Sequence, residues 1–179
     1  MSRIVVLSGS PRKGGNTELL VNSFVEGARV HNDVEVISVR EYKVNPCIGC
    51  NACRKNSEHR CFQSDDMGRV FEKLSDVDIL VIASPVYFYG VRAQLKAMID
   101  RFHSPERNGV GIRGLALLLV GADTIPKLFD SIISQYRLTL EYFKLKDYGM
   151  VLVGGVEEKA AIKGNDKLTE AYSLGLSLE

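Results

Sequence analysis

The chain has 179 residues, 45% of them hydrophobic and 25% charged, with a formal net charge of +1. That length suits one domain with a sizeable core, and the composition is not that of a disordered, collagenous or membrane-spanning chain. Near-neutral charge gives no sign of a nucleic-acid-binding or acidic docking surface, and the longest apolar run, Leu115 to Val120, is far too short to cross a bilayer.

Met1-Ser2-Arg3 leads directly into the strand-like run Ile4-Val5-Val6-Leu7. No signal-peptide pattern precedes it, so a cytoplasmic, reducing compartment is expected, which disfavours structural disulfides. Residues 3–8 are continuously apolar and β-branched, as in a strand buried on both faces. The loop Ser8-Gly9-Ser10-Pro11-Arg12-Lys13-Gly14-Gly15-Asn16-Thr17 follows, then a helical period in Leu20, Val21, Phe24, Val25 and Ala28. Small and hydroxylated residues let such a loop wrap an anion. Asn16 or Thr17 is a cap candidate, and the free N–H groups and dipole of a helix start favour phosphate. The letters do not spell a P-loop, because Lys13 precedes Gly14, nor a dinucleotide fingerprint, because Gly9-Ser10-Pro11 breaks it. The plainer alternative is a surface turn that only caps the helix.

A second strand is expected at Val34 to Val39. The long connection 41–66 then carries all four cysteines, Cys47, Cys50, Cys53 and Cys61, spaced C-x2-C-x2-C-x7-C. Such a loop in a compact domain is usually functional, and such spacing belongs to an iron–sulfur site, a zinc site or, less often, a redox pair. A helix with Met67, Val70, Phe71 and Leu74 follows a cap candidate, Asp65 or Asp66. The third strand, Asp78 to Ala83, runs into Ser84-Pro85-Val86-Tyr87-Phe88-Tyr89-Gly90. Three adjacent aromatics beyond a buried strand suit stacking on a flat conjugated ring; a hydrophobic plug or a subunit contact is the alternative. Val91, Leu95, Met98, Ile99 and Phe102 mark the next helix, Leu115 to Val120 the fourth strand, and Phe129, Ile132, Ile133, Tyr136, Leu140 and Phe143 another helix. Met150 to Val153 is the fifth strand, and a last helix starts near Asn165 with Leu168, Ala171 and Tyr172. Leu178-Glu179 follows a fading pattern and carries no weight.

Strands alternating with helices give a parallel sheet covered on both faces, within a single domain at 1–177 that has the cysteine loop 41–66 as its one long insertion. Ligands of such sheets bind beyond the carboxyl ends of the strands, at the topological switch point. A phosphate loop after the first strand and a ring loop after the third is the arrangement that holds flavin mononucleotide (FMN).

The motif Gly9-Ser10-Pro11-Arg12-x-x-Gly15-Asn16-Thr17, with Ser84 to Gly90 followed by Gln94-Leu95-Lys96 and Asp100-Arg101, resembles the NADPH-dependent FMN reductase family of the flavodoxin-like superfamily. Pro46-Cys47-x-x-Cys50-x-x-Cys53 and Asp65-Asp66-Met67 resemble its iron–sulfur flavoprotein branch. The likeness covers most of the chain to about Val153. It implies a flavodoxin-like α/β three-layer sandwich with five parallel strands in order 2-1-3-4-5 and non-covalent FMN. It assigns Ser8, Ser10, Pro11, Arg12, Asn16 and Thr17 to the phosphate, and Pro85, Val86, Tyr87, Phe88, Tyr89 and Gly90 to the ring. A third ring-side loop is expected at Gly121 to Thr124, and a homodimer or homotetramer with the flavin near a subunit interface.

For the thiols, the branch implies that Cys47, Cys50, Cys53 and Cys61 ligate one [4Fe–4S] cluster. Zinc and free thiols are the competing readings, and His59 is a further ligand candidate whose plainer reading is a solvated loop residue. His31 and His103 fall near expected helix C-termini. No Ser–His–Asp or Cys–His constellation is present, and no protein acid or base is expected to be essential to flavin reduction, since hydride transfer is the cofactor's own chemistry. The expected activity is FMN-dependent NAD(P)H oxidation, with electrons passed to a small acceptor or redox protein. A non-enzymatic electron carrier is the alternative, disfavoured because such carriers tend to be strongly acidic; a thiol-based flavin redox sensor is a third.

Overall fold

The computed structural model describes residues 1–178; Glu179 lies outside them. Five strands form one parallel sheet: β1 (Arg3–Ser8), β2 (Asp33–Ser38), β3 (Ile79–Tyr87), β5 (Gly114–Val120) and β6 (Lys146–Val153), in the order β2-β1-β3-β5-β6. This is the expected 2-1-3-4-5 order of parallel strands. A sixth, two-residue strand, β4 (Gly90–Val91), folds back antiparallel on the end of β3, pairing Val86 with Val91 and Tyr87 with Gly90. The aromatic run is therefore a strand end and a hairpin, not a free loop.

Both faces of the sheet are dry, which is why the central strands read as unbroken apolar runs. Alternate residues of β1 serve opposite cores: Ile4 and Val6 one, Val5 and Leu7 the other. The first core is covered by α1 (Asn16–Ala28) and α6 (Lys167–Leu176). These two helices touch backbone to backbone: a Cβ on Gly27 would lie 2.0 Å from Tyr172 O, and one on Gly175 2.1 Å from Phe24 O. The second core is covered by α3 (Met67–Leu74), α4 (Ala93–Arg101) and α5 (Asp130–Phe143). Tyr136 of α5 is buried, its hydroxyl 2.9 Å from Leu115 O and 2.6 Å from Asp147 Oδ1. Burial first, then the Asp147 carboxylate, push its pKa far above the ordinary phenol value.

Three boundaries differ from expectation for tertiary reasons. Val91 joins β4, so the helix starts at Ala93. Lys146 to Gly149 extend β6 upstream past an irregularity at Leu115/Leu117, with Gly149 at φ 101°. Asn165 caps α6 from outside, accepting from Lys167 N–H at 2.9 Å. The cysteine connection holds only a short helix, α2 (Ala52–Lys55). Among the described residues no helix is long and apolar enough to cross a membrane.

Candidate flavin and thiolate sites

The loops after β1, β3 and β5 lie together at the carboxyl edge of the parallel sheet. Gly9 N–H donates to Ala83 O at 2.7 Å, so the first loop is tied to β3 where it leaves the sheet. Ser8 and Ser10 are buried, and Ser10 Oγ donates to Arg12 O at 3.0 Å. Arg12 and Lys13 are exposed. Gly14 takes φ 65°, a left-handed conformation that glycine adopts without Cβ strain. Lys159 reaches over it, its Cε 3.6 Å from where a Cβ on Gly14 would sit.

Neither Asn16 nor Thr17 caps α1. The cap position is Gly15, with no side-chain hydrogen bond. Asn16 is instead spent on the loop after β6: its Nδ2 donates to Val156 O at 3.0 Å and Glu158 O at 2.8 Å, and its Oδ1 accepts from Ile162 N–H at 3.2 Å. The first backbone bond of the helix is Leu19 N–H to Gly15 O at 3.0 Å, leaving the N–H groups of Asn16, Thr17 and Glu18 without intrahelical acceptors. That is the arrangement in which a helix start receives an anion. Glu18 turns its carboxylate aside, accepting from Gly14 N–H and pairing with Arg40 at 3.0 Å. Burial works against its ionisation, but the Gly14 N–H and the Arg40 guanidinium outweigh that and hold its pKa below the ordinary value.

The ring hairpin is pinned at its base. Buried Ser84 accepts from Arg92 N–H at 3.0 Å, and Arg92 Nη1 reaches Gly9 O at 3.5 Å, joining the first and third strand-end loops. At the tip, Phe88 and Tyr89 have φ 50° and 63°. Positive φ at both positions is the pattern of a type I′ hairpin turn, which Asn-Gly normally supplies; two aromatic residues there cost on the order of 1–3 kcal/mol each. The two rings meet edge to face with centroids 6.3 Å apart, with Phe88 fully exposed and Tyr87 and Tyr89 about half exposed. Ser131 Oγ of α5 donates to Tyr89 O and steadies the turn. Beyond β5, Gly121 N–H donates to Val153 O at 2.7 Å and Asp123 O accepts from Gly155 N–H at 2.9 Å, so the third loop is laced to the segment that Asn16 holds.

The cysteine loop turns through three left-handed residues, Gly49 (φ 68°), Asn51 (φ 56°) and His59 (φ 56°). All four thiols are free; Cys47 and Cys50 are exposed, Cys53 and Cys61 half-buried. All four line one small cavity, with Gln63, Arg101, His103 and Ser104 among its other walls. Among the described residues, no three His, Cys, Asp or Glu side chains converge tightly enough to hold a metal ion as they stand. The donor chemistry still fits an iron–sulfur cluster, because the cavity collects four sulfurs and no carboxylate. His59 lies outside the cavity, its Nδ1 3.4 Å from Cys53 O. Beneath the loop, Arg101 and Asp65 form an ion pair at 2.6 Å with both side chains only 3% exposed. Asp65 rather than Asp66 holds the start of α3, accepting from Met67 N–H at 3.0 Å. A wider cavity, about 490 Å³, lies elsewhere, between α4 and α5 against Ile82, Leu117, Phe102 and Tyr136. Its walls are mainly apolar, with Arg54, Lys96, Asp100 and Arg107 among them, and none comes from the phosphate loop, so the strand-end loops, not cavity size, locate the site.

Chain position flagged the phosphate loop, the aromatic hairpin and the cysteines. It missed Arg92, Lys159, the Glu18–Arg40 pair and the Arg101–Asp65 pair, which are distant in sequence and carry no local pattern.

Comparison with known proteins places the chain in a family and a fold. The family pattern described as NADPH-dependent FMN reductase matches residues 2–127. An iron–sulfur flavoprotein of Methanocaldococcus jannaschii is 41% identical over 62% of this chain and 56% of its own. One from Methanosarcina thermophila is 37% identical over 67% of this chain and 64% of its own. The chain thus spans about six-tenths of the length of these relatives. Among solved structures, an NAD(P)H:quinone oxidoreductase from Methanothermobacter marburgensis superposes with a TM-score of 0.74, at 16% identity, over 99% of both chains, which establishes a shared fold.

Proposed function

The chain belongs to the NADPH-dependent FMN reductase family, and from that premise we propose that it is an FMN-dependent NAD(P)H oxidoreductase whose four cysteines ligate a [4Fe–4S] cluster that carries electrons away from the flavin. The observation that carries the flavin reading is the uncapped start of α1 beside buried Ser8 and Ser10, on the same sheet edge as the strained aromatic hairpin.

In this reading FMN, when bound, supplies the chemistry of accepting a hydride and releasing electrons singly or in pairs. The residues bind and orient it. Backbone N–H groups of Asn16 and Thr17, with the hydroxyls of Ser8 and Thr17, meet the phosphate; Ser10, whose hydroxyl donates to Arg12 O, shapes the loop around it, and Arg12 adds charge at the loop rim. Asn16 contributes its main chain, since its amide is already committed to the segment 156–162. Pro85 to Gly90 flank the ring, with Tyr87 and Tyr89 offering faces for stacking. No side chain is assigned a proton-transfer step. Exposed Phe88, together with Leu138 and Tyr142 on α5, leaves apolar surface that suits contact with a second copy, in line with a homodimer or homotetramer. The near-neutral net charge of +1 favours the enzyme over an electron carrier that docks by acidic charge.

Anaerobic reconstitution with FMN, iron and sulfide, followed by NADPH oxidation with a flavin or quinone acceptor, tests the reading. Turnover with about four irons per chain is expected, and Cys50→Ser should lose the iron while keeping FMN. NADPH oxidation no faster than with free FMN would overturn the enzyme, and an iron-free chain would overturn the cluster.

A further inference from the structure

The ion pair under the cysteine loop has one buried group left over. Asp65 is fully used: its Oδ2 accepts from Arg101 Nη1 at 2.6 Å and from Asn45 N–H at 2.9 Å, and its Oδ1 accepts from Met67 N–H. Arg101 Nη1 also donates to Asn45 O at 3.2 Å. Arg101 Nε is buried and has no hydrogen-bond partner among the described residues. An unmet buried donor forfeits its hydration without compensation, and native structures keep few of them. Arg101 also lines the cavity that holds Cys47, Cys50, Cys53 and Cys61.

Resting on the cluster reading above, we propose that Arg101 is a positioning residue whose Nε–H donates to a cysteine sulfur of the loaded site and thereby raises the cluster's reduction potential. Hydrogen bonds to the sulfurs are among the principal controls of iron–sulfur potentials, because they stabilise the charge added on reduction. Asp65 offsets the charge of Arg101, so the effect belongs to a directed N–H and not to a net positive charge. Asp65 also fixes the guanidinium plane through Nη1, which leaves Nε in one orientation. The simpler alternative is that Arg101 only neutralises Asp65 and anchors the loop.

Lysine separates the two. Arg101→Lys keeps a cation for Asp65 but places a methylene where Nε stands. With iron and FMN contents equal to those of the parent chain, its cluster should be reduced at least tenfold less readily, about 59 mV lower for a one-electron couple. The FMN potential should move much less. Should Arg101→Lys fold poorly, the paired change Arg101→Met with Asp65→Asn removes both charges and the donor together, and should shift the cluster in the same direction. A shift under twofold in a variant that keeps its iron overturns the inference. So does loss of iron in both variants with FMN still bound, which would assign the pair to anchoring alone. Iron absent from the parent chain itself is a separate failure, that of the cluster reading.

Discussion

Asn16 sits where a helix cap is expected but works as a clamp. Its three hydrogen bonds hold the segment after β6 onto the phosphate loop, and in doing so leave the helix start open. Removing the amide strands the carbonyls of Val156 and Glu158 and the N–H of Ile162, so Asn16→Ala should cost about 2–4 kcal/mol in urea unfolding. A loss below about 1 kcal/mol would show that the strap is held by other contacts. Arg12 is a different case: its side chain is exposed and has no hydrogen bond or ion pair among the described residues. Arg12→Ala should leave the melting temperature unchanged and weaken FMN binding about fivefold, with riboflavin binding unaffected, as expected for one solvent-exposed charge on a phosphate. Equal losses for FMN and riboflavin would remove Arg12 from the phosphate site.

Among the elements, α1 and α6 are the most demanding pair. Their backbones approach so closely at Gly27 and Gly175 that a methyl group on either would overlap a facing carbonyl. Gly27→Ala should therefore destabilise by about 1–3 kcal/mol as the helices are forced apart, although alanine is the better helix former in isolation. A rise in melting temperature would contradict the packing. The legibility of the elements follows from what set them. β1 and β5 were plain in the sequence because strands buried on both faces need unbroken apolar residues, as Ile4 to Leu7 and Leu115 to Val120 show. β4 was not, because no Gly or Asn at Phe88-Tyr89 announces the positive φ of its turn. The phosphate loop was legible from Ser, Gly and Arg at the right place. The Arg101–Asp65 pair was not, since 36 residues separate partners that only the fold brings together.

Across the whole molecule, acid sensitivity follows from carboxylates held ionised by the fold. Asp78 accepts from Arg3 N–H at 2.8 Å and pairs with Arg113; the Arg3 bond comes first, and together they outweigh burial and lower its pKa. Glu18 is lowered as well. A depressed folded-state pKa stabilises fully above the unfolded value, and the gain is lost as pH falls through the folded one. From neutrality down to pH 4.5, the ordinary value for Glu18, stability should thus be level, and it should decline below that, with the Asp78 part fading below pH 3.8. Asp78→Asn should flatten the lower part of that decline in urea unfolding followed against pH; an unchanged slope would contradict the assignment.

At this scale the account rests on three strand-end loops, brought to one sheet edge, holding FMN by its phosphate and its ring. The most direct measurement is fluorescence titration of the flavin-free chain with FMN and, in parallel, with riboflavin, which has the ring but no phosphate. The account predicts saturation at one FMN per chain, with riboflavin bound at least tenfold more weakly, about 1.4 kcal/mol for the phosphate contacts. Equal affinity for the two flavins, or no saturable binding of FMN, would contradict it.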